Sequence, residues 1–146
     1  MSHTVRLQRV VPAPPEAVFE AWTDPEVLKQ WFGPGEFTIP QATLDLRAGG
    51  EYEIVMQPPG GDPMPLIGKF RSIDPPHRLE FTWSWSRVWA QAPESVVVVE
   101  LEDADGGTRV TITQGEFDSD EVAAPYAMGW EGGIEKLVRH FERAAV

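Results

Sequence analysis

The apolar positions along this chain keep two rhythms, and the switches between them mark out helical and extended segments. Val5 to Val11 alternates polar and apolar and stops at Pro12, which suits an edge strand because proline has no N–H to continue a ladder. Pro14 and Pro15 sit where a first helical turn has spare N–H groups, and Val18, Phe19 and Trp22 follow at helical spacing, so a short helix is expected over roughly 15–23. Thr23-Asp24-Pro25 caps and restarts the chain, and Val27, Leu28, Trp31 and Phe32 form a second apolar stripe that Gly33-Pro34-Gly35 breaks.

From Phe37 to Gln114 the period is two. Turn signals at Ala48-Gly49-Gly50, Pro58 to Pro63, Asp74-Pro75-Pro76 and Asp103 to Gly107 divide this stretch into runs at roughly 37–46, 51–57, 65–73, 78–87, 95–102 and 108–116. With the first segment they predict a seven-stranded antiparallel meander. Asp118 and Ser119 suit the cap of a last segment in which Tyr126, Trp130, Ile134, Leu137, Val138 and Phe141 recur at steps of three and four, the pattern of a long amphipathic helix. Pro125 argues that the regular part of this helix begins near it, since an internal proline deletes a hydrogen bond.

Alternation assigns faces as well as strands. Leu79, Phe81, Trp83 and Trp85 share one side of their run, opposite Glu80, Thr82, Ser84 and Ser86; Tyr52, Ile54 and Met56 oppose Glu51 and Glu53. Val97, Val99 and Leu101 oppose Glu100 and Glu102, and Val110 and Ile112 oppose Arg109, Thr111 and Thr113. Each strand therefore has one face for a core, unusually rich in large rings. The last helix adds Trp130 beside Gly129, Gly132 and Gly133; each glycine costs a helix about 1 kcal/mol against alanine, so their clustering points to close approach or to room.

The 146 residues match one domain, with 42% hydrophobic and 10% aromatic residues, enough for a continuous core. Twelve basic residues against 23 acidic ones give a net charge of −11, which repels a phosphate backbone and disfavours anionic membrane surfaces, so neither nucleic acid nor a bilayer is an expected partner. No run approaches the ~18 apolar residues of a spanning helix, and Met1 to Val11 lacks the apolar stretch of a secretory signal, so the expected location is the cytoplasm. The chain has no cysteine, which removes disulfides, thiolate metal sites and thiol nucleophiles.

Motifs of the common enzymes are missing: there is no Gly-x-Ser-x-Gly elbow and no Gly-x-Gly-x-x-Gly fingerprint. Asp45-Leu46-Arg47-Ala48-Gly49-Gly50 lacks the strand-to-helix context of a phosphate cradle and reads as a hairpin turn whose Asp and Arg pair or hold it. His3, His77 and His140 lie far apart without metal-ligand spacing, so no metal and no cofactor are expected. Glu116, Glu131 and His140 are the groups to weigh as an acid or base.

Several stretches are similar to one known family. Pro15-Glu16-Ala17-Val18-Phe19-Glu20-Ala21-Trp22-Thr23-Asp24-Pro25 runs into Leu28 and Trp31-Phe32-Gly33, followed by Asp45-Leu46-Arg47-Ala48-Gly49-Gly50-Glu51-Tyr52. Gly68 to Phe70, Ile73-Asp74-Pro75-Pro76-His77-Arg78-Leu79, Phe81-Thr82-Trp83 and Gly129-Trp130 complete the set. They resemble the Hsp-90 ATPase activator homologue family of the SRPBCC, or START-like, superfamily, which includes the birch-pollen allergen. The resemblance implies an α+β helix-grip fold: a seven-stranded curved sheet wrapped on a long C-terminal helix, with two short helices between the first two strands. It further implies a cavity between sheet and helix, used across the superfamily for lipids, hormones, polyketides and other apolar molecules. The co-chaperone that lends the family its name has an additional N-terminal domain with no counterpart in these residues, so a chaperone partner is not expected.

Combining face assignment with that fold, the expected ligand-binding residues are Phe32, Tyr52, Ile54, Met56, Phe70, Phe81, Trp83, Trp85, Val99, Ile112, Gln114, Met128, Trp130 and Ile134, with Gln114 or Arg9 orienting the ligand. Trp22 and Trp31 are expected to pack in the core, Trp31 and Phe32 also touching the mouth. Three roles are weighed, in this order: binding a small apolar or amphipathic molecule, catalysis on such a molecule, and docking of a protein or a second copy through Trp89 and Pro93, a homodimer included.

Overall fold

The structure is a computed structural model, and it describes residues 3–89 and 94–144. Strand β1 (His3–Val11) ends at Pro12, and helix α1 (Pro15–Thr23) begins with proline in its first position, where the missing N–H costs nothing. Helix α2 (Pro25–Leu28) starts from Asp24, whose carboxylate accepts the Glu26 N–H at 3.0 Å. Further turns carry the chain to Phe32. The Trp31 indole N–H donates to the Ala21 carbonyl at 2.9 Å and so locks α1 and α2 together from inside. Gly33, at φ +90°, then turns the chain where a side chain would meet Met56 and Phe37 at 3.2 Å.

Six further strands follow, β2 (Thr38–Leu44), β3 (Glu51–Gln57), β4 (Met64–Asp74), β5 (Arg78–Trp83), β6 (Ser95–Ala104) and β7 (Gly107–Phe117), before helix α3 (Asp120–Ala144). All neighbours are antiparallel, in the order β1-β7-β6-β5-β4-β3-β2, so β2 to β7 form a meander and β1 completes it beside β7. Face assignment follows the alternation: Tyr52, Ile54, Met56, Leu79, Phe81, Trp83, Val97, Val99, Leu101, Val110 and Ile112 are all buried in one core. The turn after β2 is held by Arg47 Nε on Asp45 at 2.9 Å.

Two elements differ from the expected bounds. The run expected over 78–87 is strand only to Trp83: Ser84 bridges Ile67, its hydroxyl accepts the Ser86 N–H, and the Trp85 carbonyl accepts the Val88 and Trp89 N–H groups, which turns the chain out of the sheet. Helix α3 begins at Asp120 and contains Pro125, because Ser119 caps it through both its carbonyl, to the Ala123 N–H, and its hydroxyl, to the Val122 N–H. The proline lies early enough that a capped first turn precedes it.

Candidate functional site

Helix α3 crosses the ring-bearing face of the sheet, and its central anchor is Trp130. The indole N–H of Trp130 donates to Gln114 Oε1 at 2.7 Å, and Gln114 Nε2 donates to Ser95 Oγ at 2.9 Å, all three groups buried. This chain from α3 through β7 to β6 sets the plane of the Trp130 ring, which meets Trp83 at 5.4 Å, Trp22 at 5.6 Å and Phe32 at 5.8 Å between centroids.

Beside this cluster lies a cavity of about 330 Å³. The sheet supplies Met56, Met64 and Trp83, and the turn after β5 supplies Trp85 and Trp89. The segment after α2 contributes Phe32, Gly33, Pro34 and Phe37, and α3 contributes Pro125, Tyr126, Gly129, Trp130 and Gly133. On α3 these positions share one face, with two rings set among three residues that project little or nothing. Gly129 is the telling one, since a Cβ built there would meet no atom within 4 Å. Gly132 differs: it packs against Pro34 at 3.2 Å and sets the approach of helix to loop.

The wall carries almost no polar chemistry. Tyr126 stacks on Phe117 at 4.6 Å, and burial raises its phenol pKa, with the Trp85 indole opposing part of the rise. No charged side chain lines the cavity among the described residues. Nor, among them, do three His, Asp or Glu side chains come together as metal ligands would. Glu116 and Glu131 are exposed, and His140 lies edge-on to Phe141 at 5.0 Å, none of them on the cavity wall.

The structure brings five of the expected ligand-binding residues to this cavity, namely Phe32, Met56, Trp83, Trp85 and Trp130. Tyr52, Ile54, Phe70 and Phe81 belong to the other half of the sheet, where Trp22, Leu28 and Leu44 fill the space down to a void of about 10 Å³. Val99, Ile112 and Ile134 are buried packing residues away from the cavity wall. Met128 is 71% exposed and faces away from the sheet. Gln114 is absent from the cavity wall; both halves of its amide are bonded within the protein, where it positions Trp130. Arg9 is also absent from the cavity wall, pairing with Glu135 at 2.7 Å on the outside of β1 and α3. Trp31 is buried in the core and stays off the mouth, while Trp89 stands at the cavity, 52% exposed. Pro93 lies outside the described residues.

Gly33, Pro34, Phe37, Met64, Trp89, Pro125, Tyr126, Gly129 and Gly133 were not among the expected lining. The sequence carried a signal for some of them. Tyr126 is one helical turn before Trp130, and Gly129 and Gly133 are four apart on the same stripe. Phe37 and Pro34 had none, because they lie in irregular backbone without a period.

A curved antiparallel sheet closed by a long C-terminal helix over an apolar void defines the helix-grip class of α+β domain. Within that class the chain belongs to the family of Activator of Hsp90 ATPase homolog 1-like proteins, whose family model matches residues 12–142. It is similar to the AHSA1 protein of Silicibacter pomeroyi, with 29% identity and a TM-score of 0.86 over 97% of this chain and 99% of that one. A protein of Nitrosomonas europaea is similar at 28% identity and a TM-score of 0.84, covering 97% of this chain and 96% of the other. Nothing among the curated proteins matches. No described helix is long and apolar enough to cross a membrane.

Proposed function

We propose that this protein binds a small apolar or amphipathic molecule, of the size of an aromatic metabolite or short lipid, in the cavity between α3 and the sheet. The carrying observation is a void of about 330 Å³ walled by rings and methionines, with Gly129 leaving open space on the covering helix. That volume is at the low end of the ~300–1,000 Å³ usual for small-molecule pockets and about twice the ~150 Å³ that holds benzene, so a two-ring molecule fits the space. A ligand that buries roughly 250 Å² of apolar surface gains about 6 kcal/mol from transfer alone, against which the cost of association is set. Methionines at two wall positions suit a pocket that adapts to related shapes.

The test is titration with N-phenylnaphthylamine, a neutral dye that brightens in apolar surroundings. We expect saturable brightening at one site per chain, and Gly129→Leu, which places a side chain in the void, to weaken it at least tenfold while the circular dichroism stays native. Unsaturable dye uptake, or equal affinity in the leucine variant, overturns the reading. A second reading, docking of a protein or of another copy of the chain, draws on the half-exposed Trp89, and a concentration-dependent mass in light scattering would favour it. Catalysis draws less support, since Glu116, Glu131 and His140 are not among the lining residues.

A further inference from the structure

The wall of the cavity between α3 and the sheet differs in kind from the rest of the core. Aromatic residues make up 10% of the chain, yet four tryptophans, two phenylalanines and a tyrosine form half of the described lining. Methionine, proline and glycine supply the other half, and no described lining residue is a valine, leucine or isoleucine. The branched aliphatic side chains lie elsewhere, in the layer of Val97, Val99, Leu101, Val110 and Ile112 that β6 and β7 turn toward the core. The rings are also held in place. Trp130 is fixed by its bond to Gln114 at 2.7 Å, and Tyr126 by its stack on Phe117 at 4.6 Å. Trp83 meets Trp85, Tyr126 and Trp130 at interplanar angles of 81°, 72° and 61°. Rings crossed at such angles share no plane, so the wall they form carries both faces and edges.

Resting on the binding function proposed above, we propose that the cavity selects flat aromatic molecules over saturated rings and acyl chains of the same size. Burial by itself does not separate these classes, because transfer from water scales with apolar area whatever its shape. A wall of rings does separate them. An aromatic guest gains contacts with neighbouring faces and edges beyond the area it buries, and the thioethers of Met56 and Met64 add sulfur–aromatic contacts. A saturated guest makes neither, and an acyl chain also gives up rotamer freedom that a rigid ring system does not have to lose.

The experiment compares naphthylmethanol, its decahydro analogue and undecanol, alcohols of equal carbon number, by calorimetric titration of the full chain. Each affinity is divided by the probe's water-to-heptane partition coefficient, which removes differences in hydrophobicity. We expect naphthylmethanol to exceed both others about tenfold on this scale, equivalent to about 1.4 kcal/mol. The preference should fall about threefold in Trp89→Leu and in Tyr126→Leu, each of which takes one ring from the wall. It should hold in Phe141→Leu, which removes a ring of α3 that is not among the lining residues. In wild type, the ring-proton resonances of bound naphthylmethanol should be displaced from their positions in alkane solvent by the ring currents of the wall, a reading that needs no variant to fold. A ratio near one or in favour of the saturated probes, a preference that survives both wall variants or falls equally in Phe141→Leu, or unshifted ring protons overturns this proposal while leaving the binding function standing. If none of the probes binds, the binding function itself fails.

Discussion

Gln114 is the residue whose chemistry is most tightly bound to the architecture. It occupies an inward position of β7 in register with Val110 and Ile112, where an apolar side chain would be the default, and it is fully buried. Its amide carbonyl takes the Trp130 N–H and its amide nitrogen reaches Ser95, so one side chain holds the covering helix to two strands. Replacing it with leucine keeps the volume but leaves the Trp130 N–H buried and unpaired. We expect Gln114→Leu to destabilise the fold by about 1–3 kcal/mol in urea unfolding and to shift the tryptophan emission, the indole having lost its fixed orientation. A sequence reader can see that a buried glutamine demands partners, but not whether they are ligand or protein. Met128 carries the opposite lesson. It stands two residues before Trp130, about 200° around a helix of 3.6 residues per turn, so its exposure follows from the same periodicity that places Trp130 and Tyr126 inside.

At the scale of elements, the β4–β5 pair shows how one missing side chain shapes a sheet. Phe70 pairs with Phe81, and the ladder is next made by the bridge of Ile67 to Ser84, so it is interrupted around Gly68 and Lys69. The interruption is satisfied by side chains: the Lys69 N–H donates to Thr82 Oγ1 at 2.9 Å, and the Tyr52 hydroxyl crosses Gly68 to donate to the Thr82 carbonyl at 2.6 Å. A Cβ on residue 68 would stand 2.1 Å from that carbonyl oxygen and 2.6 Å from the tyrosine ring. Gly68→Ala is therefore expected to cost on the order of 3 kcal/mol in denaturant unfolding, far beyond a surface substitution, with the loss shared by Tyr52→Phe in combination. The alternation of Leu79, Phe81 and Trp83 was legible because a half-buried strand must repeat every two residues. The early end of β5 was not, because Trp85 keeps inward-facing parity and stays buried while its backbone leaves the ladder through Ser84 and Ser86.

For the molecule as a whole, the two tyrosines tie stability to alkaline pH. Burial pushes both phenol pKa values up, Tyr52 more strongly than Tyr126, since a phenolate in either place would be poorly solvated. The folded pKa values lie above the ~10 of the unfolded chain, so the folded state holds more protons in that window; their contribution is intact below about pH 10 and is lost as pH rises through the folded values. A spectrophotometric titration should find less phenolate at pH 10 than the roughly half expected of free tyrosine, and the ionisation of the deeply buried Tyr52 should coincide with loss of near-ultraviolet circular dichroism. Half of the tyrosine ionising at pH 10 with the fold intact would contradict the burial described for these rings.

The order of strands and helices, their inward faces and the family likeness were legible in the linear chain, because side-chain period and turn residues are local consequences of backbone geometry. Where the core ends and the cavity begins was not. Tyr52, Phe81 and Trp83 have the same parity, yet two lie where α1 and α2 fill the space and the third lies where α3 stands off at Gly129. That distinction arises from how far each helix approaches the sheet, a sum of contacts between segments distant in the chain, and no period within a single segment encodes it.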